Sequence, residues 1–298
     1  MSCANSRFFR TALYPNAKIR DVLRERFVLH WQSVRPAPRI TIDFGDGRKL
    51  ERTITGNSIH YVLDSDGQLI EALPGLYGPA AFQRGLVDAE TLFKSLSGRT
   101  NSERNIILTR FYRDRANAIS LAWLNDTKTI GGKVPNRLIV IQTQNGEALS
   151  VAPLAITKAL VEIPSLRAMT AASDALGQVT DERAWKQIAQ LHQADSLLDA
   201  RSLALIKQHN QSLSNDEISR LIQKFQESVA LDTVRNEYML HTKLYAWMGR
   251  ERSRLDLEQF NDQVYATLFQ TPKSDPWLGL FSTDVYSAID DGGVVKGQ

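Results

Sequence analysis

The chain has 298 residues, a length that suits about two ordinary domains and lets a core form without covalent staples. Hydrophobic residues at 43% and charged residues at 23% exclude wholesale disorder and low-complexity fibre. Thirty-six Lys and Arg against 33 Asp and Glu leave +3, which does not point to nucleic acid, and a single cysteine, Cys3, excludes an intramolecular disulfide and any multi-cysteine metal site.

The charge is uneven. Residues 1–58 hold eleven basic and five acidic residues, read as a solvated surface rather than a phosphate-binding face. No run of 18 apolar residues occurs, so no membrane span is expected. The opening Met1-Ser2-Cys3-Ala4-Asn5 lacks the apolar stretch of a signal peptide. The chain as it stands is expected in the cytoplasm. If an upstream signal was lost, the cell envelope or secretion is expected instead.

The pattern from Cys3 to Ala12, with Phe8 and Phe9, predicts a helix that Pro15 interrupts. Asn16 is an N-cap for a second helix, with Ile19, Val22 and Leu23 at helical spacing. Phe27 to Trp31 is a short apolar run, read as a strand buried on both faces. Arg39 to Phe44 alternates with period two, Asp46-Gly47 turns, and Leu50 to Ile54 returns, predicting a hairpin. Ser58 to Leu63, Asp66-Gly67 and Leu69 to Leu73 repeat the device. Gly78-Pro79 opens a helix with Phe82 and Leu86 on its inner face.

Beyond Gly98 helical periodicity dominates. Ile106 to Leu124 reads as a helix, and Thr129 to Pro135 as a loop. Thr180-Asp181-Glu182 starts a helix whose Trp185, Ile188, Leu191, Leu198 and Leu205 form one core stripe. Ser214 to Glu217 is a capping box, followed by Ile218, Leu221, Ile222, Phe225 and Val229 at helical spacing to about Met248. Leu255 to Phe269 is a further helix, and Thr271 to Gln298 a tail. The expected fold class is α+β, divided into residues 1–97, a helical connector at 98–135, and a helical domain with an irregular tail at 136–298.

Most familiar enzyme motifs are missing. No Lys-Ser/Thr follows Gly45-Asp46-Gly47, no Gly-x-Ser-x-Gly occurs, and no His-Glu-x-x-His is present. His192 with Asp195, and Glu237 with His241, read as pairs on helix surfaces, and His30 and His60 as strand residues, so no metal is expected. Trp185, Phe225, Tyr238, Tyr245, Trp247, Phe260 and Tyr265 read as core. The polar stretch Leu231 to Glu237 reads either as an exposed face or as a buried network.

One segment carries chemistry. Cys3-Ala4-Asn5-Ser6-Arg7 at a helix start, Pro15-Asn16, the Val22 to Val28 stretch, and the closing hairpin and helix resemble, in this order, the thioredoxin superfamily, in particular bacterial thioredoxin-like proteins. The resemblance covers residues 1–96. It implies thiol–disulfide exchange, with Cys3 as nucleophile at a helix N-terminus, where orphan N–H groups favour thiolate, and Arg7 one turn on. Ser6 stands where the family has its resolving cysteine, so a dithiol cycle within the chain is excluded and a monothiol activity is implied. The clients would be proteins or small thiols held as mixed disulfides, with no cofactor.

Gly56-Asn57-Ser58 replaces the family's cis-proline, leaving Asn57 as a side chain able to bond a client peptide. The family's central strand should precede the cysteine, and two residues cannot supply it. The resemblance therefore implies either an upstream start or a rearranged sheet, with Phe27–Trp31 paired directly to Ile59–Leu63 or separated from it by an open slot. The other reading of the same residues is a redox-silent scaffold whose helical part holds a partner.

Overall fold

Pro15 and Asn16 end the first helical run where the sequence places its stop. In the computed structural model, which describes residues 4–34, 39–53, 57–135, 173–250 and 256–274, α1 (Ala4–Phe8) continues as a π turn over Phe9–Leu13. Asn16 then caps α2 (Ala17–Arg26), its Oδ1 accepting from the Ile19 N–H at 3.3 Å. Packing divides the chain into two compact units, Met1–Leu255 and Asp256–Gln298.

The two hairpins form as their Asp-Gly turns predict. β1 (Arg39–Asp43) pairs antiparallel with β2 (Lys49–Thr53), and β3 (Ile59–Leu63) with β4 (Leu69–Pro74). They make two separate two-stranded sheets, so the α+β class holds. The expected strand at Phe27–Trp31 does not form. Residues 27–34 lie outside any helix or strand, with Val28 at 101% and Trp31 at 80% relative exposure. Of the expected strand Phe27–Trp31, Phe27 alone is half-buried, against the apolar cluster of the first unit. An apolar run satisfies strand propensity, but without a neighbouring ladder it stays solvated and outside the sheets. The direct pairing of Phe27–Trp31 with Ile59–Leu63 is not seen, since among the described residues the only ladder β3 makes is with β4.

Helices complete the first unit. α3 (Pro79–Leu96) starts with Pro at its first turn and buries Phe82, Leu86, Ala89, Leu92 and Leu96. α4 (Asn101–Thr129) begins five residues earlier than apolar spacing indicated, at a capping box in which Thr100 and Glu103 satisfy each other's backbone N–H. After a helical stretch at 173–179 come α5 (Glu182–Leu191), a 3₁₀ turn at Gln193–Ser196, and α6 (Ala200–His209). This breaks the single stripe expected from Trp185 to Leu205. Asp199 caps a new helix, and Leu191 is left 48% exposed. α7 (Asn215–Arg235) starts at the predicted Ser214 box and runs through a π segment (Asn236–His241) into α8 (Thr242–Arg250).

One apolar cluster joins the start of the chain to the later helices. Phe8, Phe9, Ala12, Leu13, Ile19, Leu73, Tyr77, Phe82 and Leu86 pack with Leu198, Ile206 and Val229. Each large side chain fully buried there contributes about 1.5–3 kcal/mol. In the second unit, Asp256 caps α9 (Leu257–Gln263), a π turn covers Val264–Leu268, and Lys273 pairs with Asp262 at 2.7 Å. The tail expected over Thr271–Gln298 lies outside the described residues from 275 onward.

Candidate functional site

The start of α1 faces the loop that leads into β3. Asn5 Nδ2 donates to Ser58 Oγ at 3.1 Å, which ties the first turn of α1 to Asn57-Ser58. The Ser58 carbonyl in turn accepts from the Gly75 N–H at 2.7 Å, so the end of β4 braces the same loop. Ser6 is half-buried on α1, Arg7 is exposed, and Asn57 is half-buried beside Ser58. Cys3 lies outside the described residues. Of the four residues singled out from sequence, Ser6 and Arg7 share the helix, and Asn57 sits next to the serine that Asn5 contacts.

Two residues beyond Ser58 on the same strand face, His60 sits in an aromatic box. Its ring centroid is 4.8 Å from those of both Phe9 and Phe82, and the Tyr14 hydroxyl meets Nε2 at 2.8 Å. Burial pushes the imidazole down to about 4, so it is neutral at physiological pH, and pushes Tyr14 up to about 12. His60 Nδ1 is buried with no hydrogen-bond partner among the described residues. The sequence placed His60 in a strand, which holds; its lining of the α1–β3 contact was not foreseen. His30, expected in the missing strand, is exposed.

The other histidines overturn the surface-pair readings. His192 does not pair with Asp195. Its Nε2 meets Asp126 Oδ2 at 2.6 Å, and the Tyr238 hydroxyl donates to the same oxygen at 2.5 Å. The hydrogen bond that His192 donates to Asp126 raises the His192 pKa against the opposing effect of burial. Asp195 instead takes both guanidinium nitrogens of Arg84 at 2.6 Å. Trp123 and Trp185, with centroids 5.1 Å apart, wall the Tyr238 ring.

Glu237 and His241 are likewise not a surface pair. His241 is 2% exposed and lies between two carboxyls, with Nδ1 2.9 Å from Glu237 Oε2 and Nε2 3.1 Å from Glu71 Oε1. Glu71, wholly buried in β4, also accepts from the Ala72 N–H at 2.8 Å and the Tyr245 hydroxyl at 2.7 Å. Sequence reasoning passed over this acid. Its trace was a lone Glu inside Leu69-Ile70-Glu71-Ala72-Leu73, which is unusual for a strand buried along its whole length. The stretch Leu231–Glu237 resolves in the same direction: Thr233 is buried and accepts from the Gly78 N–H at 2.7 Å, and Asn236 donates to the Leu76 carbonyl at 2.8 Å.

The two carboxyls meet opposite nitrogens of the His241 ring, so they cannot converge with it on one ion. Among the described residues no three His, Cys, Asp or Glu side chains are grouped to hold a metal, and no helix is long and apolar enough to cross a membrane. Comparison with family models, curated proteins and solved structures found no match.

Proposed function

We propose that this chain is a thioredoxin-like protein that captures disulfide-bearing clients, proteins or small molecules, through Cys3, in a monothiol mode. The observation that carries the reading is the Asn5–Ser58 hydrogen bond at 3.1 Å. It joins Asn5, inside the Cys-x-x-Ser stretch, to Ser58, which follows Asn57, the residue that the resemblance puts in the client platform. The order of β3, β4 and α3 after that loop agrees with the same reading.

In the proposed step, the Cys3 thiolate attacks one sulfur of a client disulfide. A Cys3–client S–S bond forms, the client's own S–S bond breaks, and the departing thiolate takes a proton from water. Ser6 donates a hydrogen bond to Cys3 sulfur but cannot attack the new bond, so release requires an external thiol. Asn57 bonds the client backbone, and Arg7 adds positive charge that favours the thiolate.

Incubation with a disulfide-bearing peptide, followed by non-reducing mass analysis, tests this. The wild-type chain should hold a mixed disulfide that Cys3→Ser abolishes, and Ser6→Cys should convert it into a reducible dithiol. A Ser6→Cys chain that neither forms the internal disulfide nor reduces the peptide counts against the site geometry. One observation favours a second reading, a redox-silent binding protein. The stretch at 27–34, outside any helix or strand, holds Val28, Leu29 and Trp31 out to solvent, at 101%, 62% and 80% exposure. Under that reading Cys3→Ser changes nothing, while Trp31→Ala weakens partner capture.

A further inference from the structure

Between β4 and the helices behind it, one histidine ring meets two carboxyls. Each nitrogen of the His241 ring lies within hydrogen-bond distance of a carboxyl oxygen, at 2.9 and 3.1 Å. A neutral imidazole has one N–H and one lone pair, so it can satisfy only one of the two contacts. The other partners of both carboxyls are donors. Glu71 takes the Ala72 N–H and the Tyr245 hydroxyl, and Glu237 takes the Tyr77 hydroxyl at 3.1 Å. The histidine is thus left to supply a proton on both sides.

We infer that Glu71, His241 and Glu237 form a buried imidazolium latch, which fastens the β3–β4 hairpin to the π segment and opens when alkaline pH removes one imidazole proton. The backbone at the latch is itself irregular. Residues Asn236–His241 form a π segment, an insertion that changes which side chains share a helix face and recurs at functional positions. The Tyr245 ring stacks on His241 with centroids 4.1 Å apart, and Tyr77 approaches edge-on at 6.3 Å.

Charged and titratable groups on every neighbouring element bear on this proton. From β4 comes Glu71 and from the following loop Tyr77. The π segment contributes Glu237, and α8 contributes Tyr245. From α4 comes Arg115, paired with Asp88 of α3 at 3.1 Å, and from α3 Arg84, held by Asp195. Burial alone would discharge the histidine, but the two carboxylates outweigh it and raise its pKa to about 9. Burial opposes ionisation of Glu237, yet His241 and Arg115 hold its pKa below the usual carboxylate value. Tyr77 and Tyr245 are pushed well above the ordinary tyrosine value, chiefly by burial, so neither titrates in the latch's own range.

Nitrogen-15 NMR of the histidine side chains in the whole wild-type chain tests the latch without a substitution. At about pH 7.5, a full unit above the free histidine value of about 6.5, both His241 ring nitrogens should still carry protons. One of them should lose its proton only near about pH 9. The melting temperature should fall by about 5–10 °C between about pH 7 and about pH 10 as the latch opens. In Glu71→Gln, His241 should lose its second ring proton at a lower pH. A single neutral tautomer at about pH 7.5 in the wild type overturns the latch, as does a second proton that titrates like a free histidine's. A melting temperature flat across that range overturns the opening step.

Discussion

Replacing Gly78 with Ala tests whether the loop after β4 is pressed against the later helices as tightly as the geometry shows. Gly78 is the N-cap of α3, at φ −62° and ψ 154°, a conformation that alanine adopts without strain. The cost must therefore come from space. An added Cβ would fall 2.7 Å from the Asp195 carbonyl carbon and 2.8 Å from Ser196 Cα, with the Asp195 oxygen nearer still. These are backbone atoms of the 3₁₀ turn and cannot swing aside as a side-chain tip would. Overpacking of this kind costs about 1–3 kcal/mol, and the change from Gly to Ala at an N-cap adds a few tenths or more. For a unit of this size a loss of about 2–3 kcal/mol lowers the melting temperature by about 4–12 °C in far-UV circular dichroism. Gly177→Ala is the control. Its Cβ would sit 3.6 Å from Trp123, an ordinary contact, and alanine favours the helix there by up to about 1 kcal/mol. If Gly78→Ala melts with the wild type, the packing of this loop against residues 193–196 is wrong.

Ser214→Ala should cost about 1 kcal/mol, because Ser214 and Glu217 satisfy each other's backbone N–H at the start of α7. A shift of the urea midpoint at unchanged slope checks it. His192 makes a pH prediction. Its folded pKa lies above the unfolded value because of Asp126, so the stability it adds is complete below about pH 6.5 and is lost as pH rises through the folded value. Asp126→Asn should return the His192 titration, followed by NMR, toward the free histidine value; an unmoved titration would show that Asp126 is not its partner.

The local elements were legible because their causes are local. Asp-Gly turns set both hairpins, Asn16 and Ser214 cap their helices through their own side chains, and the Pro79 start marks α3. The misses are tertiary. Phe27 to Trp31 has the composition of a buried strand, and only its surroundings leave it exposed. Leu198 continues the Trp185 periodicity by coincidence, whereas Asp199 breaks it with a new cap that the pattern of apolar residues does not register. At the candidate site, the Asn5–Ser58 contact joins residues 53 apart in sequence. The Glu71–His241 contact spans 170, and nothing along the chain says that these two side chains meet. Local spacing did find the Glu237–His241 pair. Its burial follows from a strand far upstream, which is why a surface reading was natural and incorrect.

The reactivity of Cys3 tests the functional reading most directly. Its rate of alkylation by a small neutral reagent, followed against pH in the native chain, reports the thiolate fraction. Under the proposed reading Arg7 and the start of α1 act on the thiol, which predicts a midpoint at least about one unit below the free thiol value of about 8.5. It should return to that value when the chain is unfolded in urea. A native midpoint at or above the unfolded one would contradict the account and leave Cys3 an ordinary thiol on a binding scaffold.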